Sequence, residues 1–282
     1  MTSHEVFAPF DQIVLYGGTA TLVLTLAWLA HRRRDPLRGS PLRPNQIDPV
    51  AVLTLFMFYL FTLSLLDALA KQWMPDVPDN ALSAPLRQAV VQPFVSLITG
   101  LACLFVGRQS FRAGLRGFGI GRRPVWRDVG FACFALIAAW PAVFGLHELS
   151  IMVLTHFRPD FEPPTHGVIQ LLHEAGAPAS VKAWLIAGAF VAAPFAEETF
   201  FRGILQTFVR KLLRSRWAAI LTTGLIFGLI HGVQPQAILP LSLLGCVLGF
   251  AYERTGSLVC PMIIHALFNG RTLLYQMLGT SG

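Results

Sequence analysis

Residues 182–209 read KAWLIAGAFVAAPFAEETFFRGILQTFV, an apolar run with two adjacent glutamates and an arginine inside it. A transmembrane α-helix needs about 20 predominantly apolar residues, so this run is long enough to cross a lipid bilayer. Charged side chains are costly inside hydrocarbon, and those that occur there are functional candidates. The run therefore predicts a membrane helix that carries chemistry.

Apolar runs of the same kind recur along the whole chain. Hydrophobic residues make up 54% of the 282 residues and charged residues 13%, and the mean hydropathy is +0.58. Soluble domains carry about 25% charged residues. We predict eight spans, near residues 12–30, 50–69, 88–107, 129–147, 182–209, 217–232, 236–252 and 257–279. The sixth and seventh spans are short for a full crossing. The eight spans together predict an all-α polytopic membrane protein with about eight transmembrane helices.

The basic residues favour one orientation of these spans. The formal net charge is +7, and most of the Lys and Arg lie in three connectors, residues 32–43, 108–127 and 202–216. Such connectors stay on the cytoplasmic side, which explains the positive charge without a nucleic-acid partner. Short loops and the lack of a retention signal lead us to expect an integral, multi-pass protein of a bacterial inner membrane.

Two of the charges in the fifth span are expected to neutralise each other. Glu198 and Arg202 are four residues apart and share a helix face, so they can form an ion pair. Glu197 points about 100° away from Glu198 around the helix, which leaves it free to act as a general base. The alternative is a purely structural charge cluster.

Polar groups also occur in two later spans. His231 ends the sixth span, and His265 and Asn269 lie four residues apart on one face of the eighth. Together, His265 and Asn269 can donate hydrogen bonds to a developing oxyanion, although polar contact between helices is the alternative. The heights of Glu197, His231 and His265 in their spans are compatible with one buried intramembrane site.

These polar residues form three motifs, each on its own apolar run. In chain order they are Glu197-Glu198-x-x-x-Arg202, Phe227-x-x-x-His231 and His265-x-x-x-Asn269. The set resembles the CAAX-protease and bacteriocin-processing family of intramembrane glutamic endopeptidases. The resemblance implies one membrane domain in which residues 1–125 supply N-terminal helices and basic connectors, and residues 126–282 form the catalytic part. It also implies that Glu198 and Arg202 support the active site.

The resemblance further implies a reaction and a partner. Glu197 and His231 would activate the attacking water, and His265 and Asn269 would stabilise the tetrahedral intermediate. The reaction would be hydrolysis of a peptide bond near the membrane without a covalent acyl-enzyme. The partners would be the lipid bilayer and a peptide or protein with a membrane-associated cleavage site, such as a prenylated tail or a leader peptide.

A metal mechanism is the main alternative for the chemistry. Glu197, His231 and His265 are residue types that form open three-ligand zinc sites. The sequence has no His-Glu-x-x-His motif, and the resembled family is regarded as glutamate-dependent, so we expect no cofactor. The four cysteines fall inside predicted spans without metal-ligand spacing, and we expect them to be packing residues.

Two other classes of function are compatible with a polytopic chain. One is a non-catalytic membrane scaffold or bacteriocin-immunity protein of the same fold, against which the complete motifs argue. The other is a proton-coupled transporter, which predicts two related halves with broken helices, and the sequence shows no such halves. Asp67, in the second span, suits a proton relay, but we favour a hydrogen bond between helices or a place near the outer interface as its explanation.

Overall fold

The computed structural model is helical throughout the part of the chain that it describes. The described residues are 3–32, 35–76, 83–164, 171–172 and 178–279. In these ranges the chain forms helices, turns and one isolated β-bridge between Asn45 and Phe111. The all-α prediction is therefore confirmed.

The helices follow one another through short connectors. In chain order, α1 to α9 are Ser3–Arg32, Pro49–Lys71, Ser83–Ser110, Gly114–Phe118, Val125–Phe157, Ala179–Leu213, Arg216–Leu229, Ile238–Thr255 and Val259–Gly279. The short α4 lies in the connector between α3 and α5. The other helices correspond, in order, to the predicted spans.

The described helices are long and apolar enough for a polytopic membrane protein. Five of them can cross a membrane by length and composition: α2, α3, α5, α6 and the segment Pro235–Thr255, which joins a 3₁₀ turn to α8. Shorter apolar segments lie in α1, α7 and α9. The turn lengthens the seventh span to 21 residues, so the prediction that it is short was wrong, whereas the sixth is short as predicted.

Capping side chains set the starts of α2 and α7. Asp48 caps α2 by accepting a hydrogen bond from the Ala51 amide at 2.8 Å, and Ser215 caps α7 in the same way through Ala218. Arg214 lies between α6 and α7 in the left-handed region, with φ +53°. These signals turn the chain sharply after α6 and direct α7 back along it.

Helices α7 and α8 approach each other closely because glycines line their contact. A Cβ atom at Gly224 would lie 2.8 Å from the Cys246 backbone nitrogen, and one at Gly245 would lie 2.9 Å from the Gly224 Cα atom. Small residues spaced four apart allow such close packing of membrane helices, and Gly224 and Gly228 have this spacing on α7. The contact fixes the face of α7 that carries Phe227 against α6.

The basic connectors meet at one end of the helix bundle. Glu253, near the end of α8, accepts hydrogen bonds from Arg43 at 2.7 Å and from Arg210 at 2.9 Å. The connector before α5 joins them because the Tyr252 hydroxyl donates to the Phe118 carbonyl at 2.8 Å. All three connectors therefore lie on the same side of the bundle, as alternating membrane crossings require.

Asp67 has a structural partner on the neighbouring helix. The Arg87 Nε atom donates to Asp67 Oδ1 at 2.9 Å, and the same guanidinium contacts Asp76. A hydrogen bond from Lys71, together with Arg87, holds the pKa of the Asp76 carboxyl below its usual value. Asp67 is thus part of an ion-pair network between α2 and α3, which agrees with its interpretation as a link between helices.

Candidate active site

Helix α6 carries the glutamate pair between two irregular segments. Residues Gly188–Ala192 and Thr199–Gln206 are π-helical, whereas Ala193–Glu198 is α-helical. Pro194 begins this α-helical turn; proline has no amide hydrogen, and its ring crowds the carbonyl four residues earlier, so a departure from α geometry is expected here. Such π segments inside long helices occur frequently at functional sites.

Glu198 and Arg202 form the expected pair inside the bundle. Their side chains are buried, and Arg202 Nε lies 3.1 Å from Glu198 Oε2. Neither of these two atoms meets the geometry of a hydrogen bond, so the contact is electrostatic. Arg202 Nη2 instead donates to the Gly245 carbonyl at 3.1 Å, and its guanidinium carbon lies 4.7 Å from the centre of the Phe227 ring. The pair neutralises two charges that would otherwise be costly there.

His265 lies between the two glutamates. Its Nδ1 atom is 2.9 Å from Glu198 Oε1, and its Nε2 atom is 4.0 Å from Glu197 Oε2. Since an ionised carboxylate can only accept, Nδ1 carries the hydrogen in the first contact. The second ring nitrogen therefore faces Glu197. His265 therefore joins α9 to the centre of α6.

Glu197 has a carboxylate oxygen without a partner. Its side chain is 28% exposed, but the Oε2 atom is shielded from solvent and has no hydrogen-bond partner in the described part of the chain. The separation of 4.0 Å from His265 is too long for a hydrogen bond. An unpaired buried carboxylate oxygen is costly, and contacts of this length are often bridged by water.

His231 contacts this cluster through an aromatic ring. It follows the end of α7, and its Nδ1 atom lies 2.7 Å from the Phe227 carbonyl, which leaves Nε2 available. The Phe227 ring centre is 5.1 Å from that of His231 and 5.6 Å from that of His265. Among the described contacts, Glu197 lies beside His265 rather than beside His231. The sequence analysis gave Phe227 no role, although the residue belongs to a motif.

Asn269 forms a contact between helices. Its Nδ2 atom donates to the Ala189 carbonyl at 2.9 Å, within the first π segment of α6. One of the two amide hydrogens is used in this way, and the second remains available. The structure therefore brings four of the six predicted site residues to the contact between α6 and α9, namely Glu197, Glu198, His265 and Asn269. Arg202 pairs with Glu198 and donates to α8, and His231 lies behind Phe227.

The sequence of this region matches a known family. Residues 179–271 match the family model described as type II CAAX prenyl endopeptidase Rce1-like. This part of the chain is therefore similar to the Rce1-like family. The match covers α6, α7, α8 and the motif residues of α9, and the family it describes has a CAAX-type intramembrane protease fold. The resemblance inferred from the three motifs is confirmed.

A curated relative is similar to part of the chain. An uncharacterized 24.3 kDa protein of Escherichia coli is 38% identical over 80 residues, which is 27% of this chain and 36% of the relative. The chain thus spans about a third of the length of that relative. No solved structure matches the chain.

Gln206 is a further buried polar residue of the matched region, and no role for it was predicted from the sequence. It is buried on α6, donates to the Gly249 carbonyl at 3.1 Å and accepts from the Thr223 hydroxyl at 3.3 Å. It therefore ties α6 to both α7 and α8. The signal was present, because Glu198, Arg202 and Gln206 recur every four residues on one apolar helix.

Acidic, histidine and cysteine side chains are the possible ligands for a metal ion. In the described ranges, no group of three or more His, Cys, Asp or Glu side chains is arranged to hold a metal ion. Cys103 and Cys260 are buried and Cys246 is half-buried, as packing residues should be, whereas Cys133 is exposed on α5. Cys133 therefore lies on the outer surface of the bundle and is an exception to the packing prediction.

Proposed function

We propose that this chain is an intramembrane endopeptidase that hydrolyses a peptide bond near the membrane with water activated by Glu197. The observation that carries the proposal is the unpartnered, solvent-shielded Oε2 atom of Glu197, next to a histidine. A carboxylate in that state is suited to accept a proton, because no hydrogen bond occupies that oxygen and the His265 Nε2 atom beside it lies 4.0 Å away.

The distance between Glu197 and His265 suits a bridging water. A water about 2.8 Å from each atom would span their 4.0 Å separation at an angle of about 90°. Because the Oε2 atom is shielded in the structure, the side chains would have to move to admit this water. The Nε2 atom of His231 is the second candidate contact for this water. The Phe227 ring lies between His231 and His265, so the His231 side chain would first have to rotate past this ring. Catalytic hydrogen bonds commonly shorten when substrate binds.

The chemical steps use one carboxylate for two proton transfers. As the water oxygen bonds to the peptide carbonyl carbon, Glu197 takes a proton from the water, and the carbonyl electron pair moves to its oxygen. When the tetrahedral intermediate collapses, the carbon–nitrogen bond breaks and Glu197 returns the proton to the leaving nitrogen. No covalent acyl-enzyme forms.

The developing oxyanion needs donors in a region shielded from water. His265 and Asn269 are our candidates, His265 through Nε2 when that nitrogen is protonated and Asn269 through its second amide hydrogen. The ion pair of Glu198 and Arg202 is a positioning element in this scheme, because Glu198 holds the His265 ring through Nδ1. The scheme requires no cofactor.

The substrate class follows from the location of the site. The proposed substrates are peptides or proteins whose scissile bond lies at the membrane, including prenylated C-terminal tails, which would agree with the family description, a CAAX prenyl endopeptidase. The remaining proposed partner is the lipid bilayer. We propose a bacterial inner membrane as the location, on the basis of the short connectors and their basic residues.

The test compares Glu197→Gln with a matched change at Glu162, an exposed glutamate outside the site. Membranes from cells that express the parent or either variant are profiled by mass spectrometry for newly formed peptide termini. Products that depend on the parent and on Glu162→Gln, and that disappear with Glu197→Gln, are expected. If Glu197→Gln yields the same products and phenotype as the parent, the chain is a scaffold or immunity-type protein. A proton flux that depends on Glu197, without any cleavage, would instead indicate a transporter.

A further inference from the structure

The connector between α3 and α5 forms a basic cavity that the proposed peptidase chemistry does not use. The cavity is lined by Ala113, Arg116, Gly121 and Arg122, and has a volume of about 480 Å³. Both arginines are exposed to solvent. The cavity is remote from the glutamate pair, because it belongs to the end of the bundle where the basic connectors meet.

The cavity lies at the level where lipid headgroups are expected. The helices on either side of the connector, Ser83–Ser110 and Val125–Phe157, are both long and apolar enough to cross a membrane. Trp126 is 69% exposed at the start of the second helix, and the Arg127 guanidinium carbon lies 5.0 Å from its ring centre. Exposed Trp beside Arg is typical of the membrane–water interface.

The connector is held in a fixed shape. The Phe118 side chain is fully buried, and the Gly119 carbonyl accepts a hydrogen bond from the Leu258 amide at 2.9 Å. Gly119 has φ +114°, and a Cβ atom there would lie 2.8 Å from the Leu258 nitrogen, so only glycine fits. The two cavity arginines are therefore presented by a preorganised backbone.

The cavity arginines differ from four other arginines at this end of the bundle, which lie within ion-pair distance of carboxylates. Glu253 lies within ion-pair distance of Arg43, Arg210 and Arg216, and Asp128 pairs with Arg123 at 3.2 Å. No described carboxylate pairs with either arginine of the cavity. Ordinary topology signals require positive charge alone, whereas here two guanidinium groups line one shaped cavity.

We propose that the cavity between Arg116 and Arg122 binds the phosphate of an anionic phospholipid headgroup. Guanidinium groups bind phosphate through paired, charge-assisted hydrogen bonds. Basic residues next to a membrane helix are attracted to anionic lipid, and the adjacent Trp126 is suited to the acyl boundary of the same molecule.

The test measures lipid affinity of the full chain in neutral detergent by the shift of its melting temperature. Phosphatidylglycerol, phosphatidylcholine and inorganic phosphate are titrated against the parent, Arg116→Gln/Arg122→Gln and a control, Arg108→Gln/Arg112→Gln. The control removes the same charge from two exposed arginines of the same connector. Phosphatidylglycerol is expected to stabilise the parent and the control equally, and its affinity for the cavity variant is expected to fall by roughly tenfold.

Three results would overturn the proposal. One is an equal affinity of phosphatidylglycerol for the parent and the cavity variant, and another is an equal loss in the control, which would indicate diffuse attraction. The third is a matching stabilisation by inorganic phosphate, which would identify a site for soluble anions. If the cavity variant does not fold, it is replaced by Arg116→Lys/Arg122→Lys, which retains the charge. Lipid adducts counted by native mass spectrometry then supply the same comparison with the parent and the control.

Discussion

Replacing Arg202 with methionine tests whether the buried pair holds the site together. Methionine has a similar length and no charge, so the change removes the positive partner of Glu198 while filling most of the space. Glu198 is fully buried, and its remaining partner is His265. A carboxylate in that position cannot recover its hydration, because the packed helices exclude water.

The expected cost can be worked out from burial. Removing one partner of a buried ion pair costs about 3–5 kcal/mol. The Gly245 carbonyl also loses its donor, which places Arg202→Met toward the upper end of that range. Glu198→Gln keeps an acceptor for His265 but leaves Arg202 without a counter-charge, so a similar cost is expected. The double variant loses both charges and is expected to recover about 2–3 kcal/mol relative to the sum of the single changes.

The free energy of unfolding is measured by denaturant titration of the full chain in mixed micelles for the four members of the cycle. Arg254→Met serves as the control, since Arg254 is exposed on the neighbouring helix α8. Purely additive effects of the two single changes would refute the reasoning. So would a cost for Arg202→Met no larger than that of the control.

Three further predictions concern other parts of the chain. Phe227→Leu removes the ring between the two histidines, so kcat is expected to fall more than tenfold with little change in KM. Both constants are measured on a substrate found by the profiling of peptide termini. An unchanged kcat would contradict a role of Phe227 in positioning the histidines. The lowered pKa of Asp76 stabilises the fold above the ordinary carboxyl pKa, and this contribution is lost as pH falls through the lowered value. Asp76→Asn should therefore flatten the acid limb of a plot of melting temperature against pH, and an unaltered limb would argue against it. Chelator treatment is expected to leave activity intact, and elemental analysis is expected to find no stoichiometric metal; zinc at one equivalent, with loss of activity on its removal, would favour the metal alternative.

Much of the fold could be predicted from the sequence because lipid imposes length and composition on each crossing. Apolar runs gave the order of the membrane helices, and the spacing of Glu198 and Arg202 gave their pairing. Both are local properties. The seventh span, predicted as residues 236–252, was judged too short mainly at its C-terminal end, because α8 continues through the charged residues Glu253 and Arg254 to Thr255.

The arrangement of the site depends on contacts between distant parts of the chain, which no local pattern encodes. The bond of His265 to Glu198 joins α9 to α6, and Asn269 reaches Ala189 on the same helix. A uniform turn of 100° per residue, assumed from sequence, does not describe the π segments beside Glu197 and Glu198. The cluster around Glu253 was missed for the same reason, since its arginines come from two distant connectors, residues 32–43 and 202–216.

The glycine contact between α7 and α8 restricts how a peptide can enter. The backbones touch where Gly224 faces Gly245, so no side chain can rotate aside there to make a passage. These two helices should move as one rigid body. Any opening for substrate must therefore form along other helix boundaries, where longer side chains can change rotamer. Cysteine crosslinks across the α7–α8 boundary should therefore leave turnover unchanged, whereas crosslinks from α9 to α5 or α6 should slow it.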